Sequence, residues 1–147
     1  MPAKTNIEKS IADLFSVFKD EVTTILKNQR SIFKTTAKET KRLQSHYADI
    51  HEESTQSLEV LRKWEDSALQ LAQIARTADE ARQAYDLSPS ASHPQIMAQE
   101  KWIAYTIANI DAATDVKQLV AILKNYPGNG TGCMEAAICK AAKLLTS

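Results

Sequence analysis

Residues 5–33 read TNIEKSIADLFSVFKDEVTTILKNQRSIF. Ile7, Ile11, Leu14, Phe18, Val22, Ile25, Ile32 and Phe33 recur in it at helical spacing, and at about 100° per residue they stay on one face. Leu43, Tyr47, Ile50, Leu58, Leu61, Trp64, Ala68 and Leu71 carry the pattern onward, and no Gly or Pro interrupts residues 5–87. A periodic stretch of that length exceeds an ordinary globular helix, which predicts a coiled coil or a long hairpin. Alternating strand-type runs are absent, and all three glycines fall within residues 128–132. The expected fold is all-α: an elongated helical hairpin or coiled coil in the N-terminal part, continuing into a compact helical bundle.

Local signals divide the chain. Thr5-Asn6-Ile7-Glu8 fits a capping box, in which the Thr side chain bonds forward and the Glu reaches back. The stripe is dense to Phe33 and then thins, with Thr36, Thr40, Ser54 and Ser57 where apolar residues would sit. A straight helix over residues 5–87 would be roughly 120 Å long, so a reversal that buries its two ends on each other is more economical. A bend is expected within residues 44–57, best at the polar stretch 51–57, where Ser or Thr can cap a new helix. Lys34-Thr35-Thr36 is a second turn candidate.

Residues 64–87 turn alanine-rich, which favours helix and close helix approach. Residues 88–94, with two prolines and three serines, read as a linker, and Pro94 suits the first turn of the next helix. Residues 95–147 are expected to form short helices. One carries Ile96, Ile103, Ile107 and Ile110. Thr114-Asp115 caps the next, with Val116, Leu119, Val120 and Leu123. A glycine loop then precedes the last, at residues 133–145. The whole is expected to be a single helical domain.

Lys plus Arg equals Asp plus Glu at 18 each, so the chain does not coat nucleic acid with its whole surface, a mode that depends on phosphate neutralisation. Aromatics are 6%, too few for stacking platforms. Cys133 and Cys139 fall about 240° apart on a helix, on different faces, and read as two small core residues rather than a disulfide. The first residues lack a signal-peptide core and no apolar run reaches membrane-spanning length, so an intracellular, cytoplasmic, soluble protein is expected.

Lys27, Arg30, Lys34, Lys38, Lys41 and Arg42 fall in an arc of about 120° opposite the apolar stripe. Such a ridge could follow phosphates or lie on an anionic membrane. It could also be a solvated face, or pair with the acids Asp49, Glu52, Glu53, Glu59, Glu65 and Asp66. A reversal near His46 would bring Lys38 toward Glu53 and Lys27 toward Glu65, within one chain or between two.

His46, Asp49, His51, Glu52 and Glu53 are metal-ligand types, but the two histidines are five positions apart, about 140° around a helix, so no metal site is expected. Gly128-Asn129-Gly130-Thr131-Gly132 lacks the strand and the Gly-Lys-Ser/Thr ending of a phosphate loop, and reads as a structural turn. No catalytic constellation, cofactor site or small-molecule substrate is indicated. The expectation is a non-enzymatic helical interaction or assembly protein. It would form a homo-oligomer, or bind a helical partner, through Ile11, Leu14, Phe18, Ile25, Ile32 and Phe33. The alternative is a module that binds nucleic acid or anionic membrane through the ridge.

Overall fold

A computed structural model describes residues 2–50, 55–128 and 130–146, with side chains described from Glu8 onward except that of Thr55. Among these residues there is no strand. The helices are α1 (Pro2–Asp49), α2 (Thr55–Ile74), α3 (Ala78–Leu87), α4 (His93–Ala112), α5 (Val116–Leu123) and α6 (Cys133–Thr146). The chain is thus all-α, with a long first helix that packs on further helices in a compact bundle. Helical backbone begins at Pro2, three residues before the expected cap at Thr5, and proline is well tolerated in a first turn. The side chains of that capping box lie mostly outside the described ones.

The chain divides inside α1 into two compact units, Met1–Lys34 and Thr35–Ser147. In the second, α2 runs antiparallel to residues 35–49. Thr40 meets Ser67 at 2.7 Å, Leu43 packs with Trp64 and Ala68, and the Tyr47 ring lies 5.4 Å from that of Trp64. The chain thus doubles back from residues 35–49 onto α2. Of the preferred turn stretch 51–57, residues 51–54 lie outside the described ones and residues 55–57 are in α2, while Lys34-Thr35-Thr36 is uninterrupted helix. The thinned stripe is not weakly packed. Thr40 is fully buried, and its hydroxyl donates to the Thr36 carbonyl at 2.8 Å. A hydroxyl has a single hydrogen, so the Ser67 hydroxyl is the donor to Thr40.

The alanine-rich stretch hides a break. After Ile74 the chain leaves the helix and re-enters at α3, where Thr77 accepts from the Glu80 N–H at 3.1 Å and Glu80 accepts from the Arg76 N–H at 2.8 Å. The carbonyls left at the end of α2 are taken by α4: Lys101 Nζ donates to Gln73 at 2.6 Å and Tyr105 to Ala75 at 3.2 Å. Burial, and then the neighbouring Arg76, hold the Lys101 ammonium below the ordinary lysine range. Ala68, Ala72, Ala75, Ala81, Ala84 and Ala98 are fully buried, as is Leu71, and α2, α3 and α4 pack on one another.

The expected linker is a built corner. Ser88 is buried and donates to the Ala84 carbonyl, Ser92 caps α4 through the Gln95 N–H, and Pro94 sits in the first turn. Ala91 turns it with φ 59°, held by its N–H on Gln95 Oε1 at 2.8 Å. Two serines bonding backbone leave a proline-containing corner little freedom. α4 is the central helix, packed on α2, α3, α5 and α6. Each tryptophan stacks on a tyrosine and donates its indole N–H to a carbonyl at or just past a helix end: Trp64 to Leu87 at 2.7 Å, Trp102 to Asn125 at 3.1 Å. Asp115 caps α5, as the sequence suggests, and Gln118 Oε1 accepts from the Thr114 N–H. Ile110, Ala113, Leu119, Cys133 and Ala137 close the C-terminal core.

Candidate functional site

The most unusual surface lies in the first unit. Ile11, Leu14, Phe15, Val17, Phe18, Val22, Ile25 and Leu26 are between 38% and 70% exposed, and Ile32 is 55% exposed. All except Val17 fall within an arc of about 120° on α1. Ile11, Phe15, Phe18, Val22, Ile25, Gln29 and Ile32 alternate at spacings of four and three, the heptad pattern of a coiled-coil seam, and only Gln29 is polar. Leu14 and Leu26 widen the seam on opposite sides; Lys19 and Glu21 are the charges flanking it. The pattern reaches the second unit in the same arc with Thr36, Thr40, Leu43 and Tyr47. There α2 covers it, but α2 has 20 residues against 48 in α1, too few to cover the whole stripe.

Five of the six residues expected at an interface, Ile11, Leu14, Phe18, Ile25 and Ile32, are exposed. Phe33 is not: it is 3% exposed, already covered within the chain, and is removed from that surface. Phe15 and Val22 belong to the seam instead. As an aromatic residue Phe15 reads as a core or helix–helix contact; it is 67% exposed, and its place on the stripe shows in the four-three spacing to Ile11 and Phe18.

Within the chain the reversal does not fall near His46, and Glu53, the expected partner of Lys38, lies outside the described residues. That register would place Thr40 near His51, whereas it meets Ser67. The ion pairs among the described residues are Arg42 with Glu39 at 2.6 Å and Arg82 with Asp86 at 3.9 Å, and neither joins the ridge to the acids of α2. Arg42 holds the Glu39 carboxyl below its ordinary range, chiefly through their hydrogen bond. Lys27, Arg30 and Lys34 are exposed in the first unit. Lys38 and Lys41, in the second, line an open cleft of about 350 Å³ with Ala37, Gln83, Asp86 and Leu87.

The remaining places have structural explanations. Gly130 and Gly132 have φ of 83° and 82°, which turn the chain into α6, and the Thr131 hydroxyl donates to the Gly128 carbonyl at 2.8 Å. Glu135 in the first turn of α6 opposes an anion there, and Lys140 donates to the Asp111 carbonyl at 2.8 Å. Among the described residues no group of three His, Cys, Asp or Glu side chains could hold a metal; His51, Glu52 and Glu53 lie outside them. Cys133 is buried and Cys139 exposed, and both are free thiols. A second cleft of about 280 Å³ includes Thr77, Asp79, Thr106 and Asn125, but the Thr106 hydroxyl is spent on the Trp102 carbonyl and Asp79 accepts from Gln83. No described helix is long and apolar enough to cross a membrane. Comparison with protein-family models, curated proteins and solved structures gave no match.

Proposed function

We propose that this chain is a non-enzymatic assembly protein that self-associates through the apolar face of α1 between residues 11 and 32. One observation carries the reading: a three-heptad seam of large apolar side chains is exposed on a folded chain. Contiguous apolar surface of this kind marks an interaction site, since monomeric proteins seldom leave it in water. The four-three spacing points to a helix as the occupant, because knobs entering the holes of a facing helix need that repeat. A second copy supplies such a helix with the same repeat. Charge disfavours an acidic membrane as the occupant. Residues 8–32 carry four acids and four bases, so they have no net attraction for anionic lipid.

The test is mass in solution. The wild-type chain is expected to sediment as a multiple of its 16.3 kDa mass. Phe18→Asp with Ile25→Asp should sediment as the single chain with unchanged helix content, because each change puts an unpaired charge into the seam without touching the buried core. A wild type that stays at one chain mass at high concentration overturns the proposal.

A further inference from the structure

We infer that the assembly is a closed bundle of at least three α1 helices, not a pair. The inference rests on the self-association proposed above and adds the number of copies. The width of the exposed stripe carries it. Its apolar side chains span about 120° of α1, from Leu14 and Ile32 at one margin to Leu26 at the other. A two-stranded seam is a narrow stripe, whereas an apolar stripe wider than about 100° is the core face of a helix with several neighbours. One facing helix covers the middle of such a stripe and leaves its margins in water. Leu14 is 70% and Leu26 49% exposed, on opposite margins. Burying both takes a neighbour on each side, and in a ring of three or more helices every helix has two.

The rows beside the seam point the same way. They hold Ala12, Lys19 and Leu26 on one side and Leu14, Glu21 and Asn28 on the other. In a two-stranded coiled coil these rows stand at the solvent boundary and are commonly Glu and Lys, which pair across it. Here two of the six are charged and three are apolar, a composition that suits burial between neighbours. Lys27, Arg30 and Lys34 lie opposite the stripe, so they stay in water on the outside of the bundle. Gln29 is the polar layer inside, and a carboxamide both donates and accepts, so copies around a ring satisfy one another. Each copy contributes residues 11–32, the exposed part of the stripe, and none of the stretch that α2 covers.

Sedimentation equilibrium on the full chain tests this, because it reads mass without regard to shape. The wild type should settle at a fixed mass of three or more times 16.3 kDa. Twice that chain mass overturns the inference while leaving self-association standing. A mass that keeps rising with concentration shows open-ended association and overturns the closed bundle. A single-chain mass overturns self-association as well. Leu14→Glu with Leu26→Lys should fall to two chains with unchanged helix content, since both margins become charged while the central seam is left whole. Both side chains are exposed, so the buried core is untouched by the change. A variant that keeps the wild-type mass overturns the role given to the margins.

Discussion

Residues 11–32 and residues 35–49 belong to one helix and carry one apolar stripe, yet they meet opposite environments. In the second stretch Thr40 and Leu43 are buried under α2. In the first Leu14, Phe15 and Phe18 are each more than 60% exposed. The more hydrophobic stretch is the uncovered one. Threonine does well under α2 because its hydroxyl is satisfied by the Thr36 carbonyl and Ser67, while phenylalanine stands in water. Hydrophobicity therefore does not say which part of this helix is core. The length of α2 does. The residues that look most like core are the ones left exposed.

The sharpest way to break this contrast is to truncate one side chain in each environment. Leu71→Ala removes a fully buried side chain from the alanine-lined core and should cost about 2–5 kcal/mol in chemical denaturation. Phe18→Ala should leave the stability of the dissociated chain within about 0.5 kcal/mol, as expected of an exposed site, and weaken association instead. A large loss for Phe18→Ala in dilute, single-chain samples would show that the exposed stripe is core after all.

The second test concerns the polar pair that pins α1 to α2. Thr40→Val leaves the Ser67 hydroxyl buried without its acceptor and should cost about 1–3 kcal/mol. Ser67→Ala added to Thr40→Val should cost little more, because the orphaned group is removed with it. A double-mutant cycle reads the coupling, expected between about 0.5 and 3 kcal/mol for groups in contact. Strict additivity of the two single changes would mean that the 2.7 Å contact does not set the hairpin register.

Much of the architecture was legible in local signals, because caps and breakers act within a few residues. Thr114-Asp115, Pro94 and the glycine loop ahead of Cys133 stand where their side-chain chemistry places them. The break at residues 75–77 was hidden because six alanines read as one continuous helix, although Thr77-Ala78-Asp79-Glu80 is itself a capping box. The pairing of Thr40 with Ser67 could not be read, since it depends on which distant helix covers this part of α1. That Ile11, Leu14, Phe18, Ile25 and Ile32 share one exposed face was legible for the same reason in reverse: an amphipathic face is a local property.

The glycine loop offers a smaller effect. Gly130→Ala meets no neighbour within 4 Å, so only its φ of 83° opposes the change, and the cost should be about 1–2 kcal/mol. Titrating ATP or GTP while following the amides of residues 130–134 should show no saturable shift. Saturation at micromolar nucleotide would make the loop a binding site.

Reversing Lys34, Lys38 and Lys41 to Glu compares the ridge across the same boundary in α1. If the ridge serves no polyanion, the wild type should show no saturable binding to duplex DNA or acidic vesicles even at low salt. Tight binding that falls steeply with salt and is lost in the reversed variant would instead support a polyanion module.

The smallest effect belongs to Glu39 and Arg42, which flank the buried Thr40 in sequence. Their 2.6 Å pair is solvent-exposed on both sides, and the Glu39 carboxyl is held below its ordinary 4.5, first by the hydrogen bond to Arg42 and also by the Arg42 charge. A carboxyl that titrates lower in the folded chain than in the unfolded one contributes stability above the unfolded value and loses it as pH falls through the folded value. Glu39→Gln should therefore lower the thermal midpoint slightly near neutral pH, and the difference from wild type should vanish below the Glu39 titration. Water screens both groups, so the change should be far below that of Leu71→Ala. A difference that persists or grows in acid would show that Glu39 acts through packing on the helix rather than through its charge.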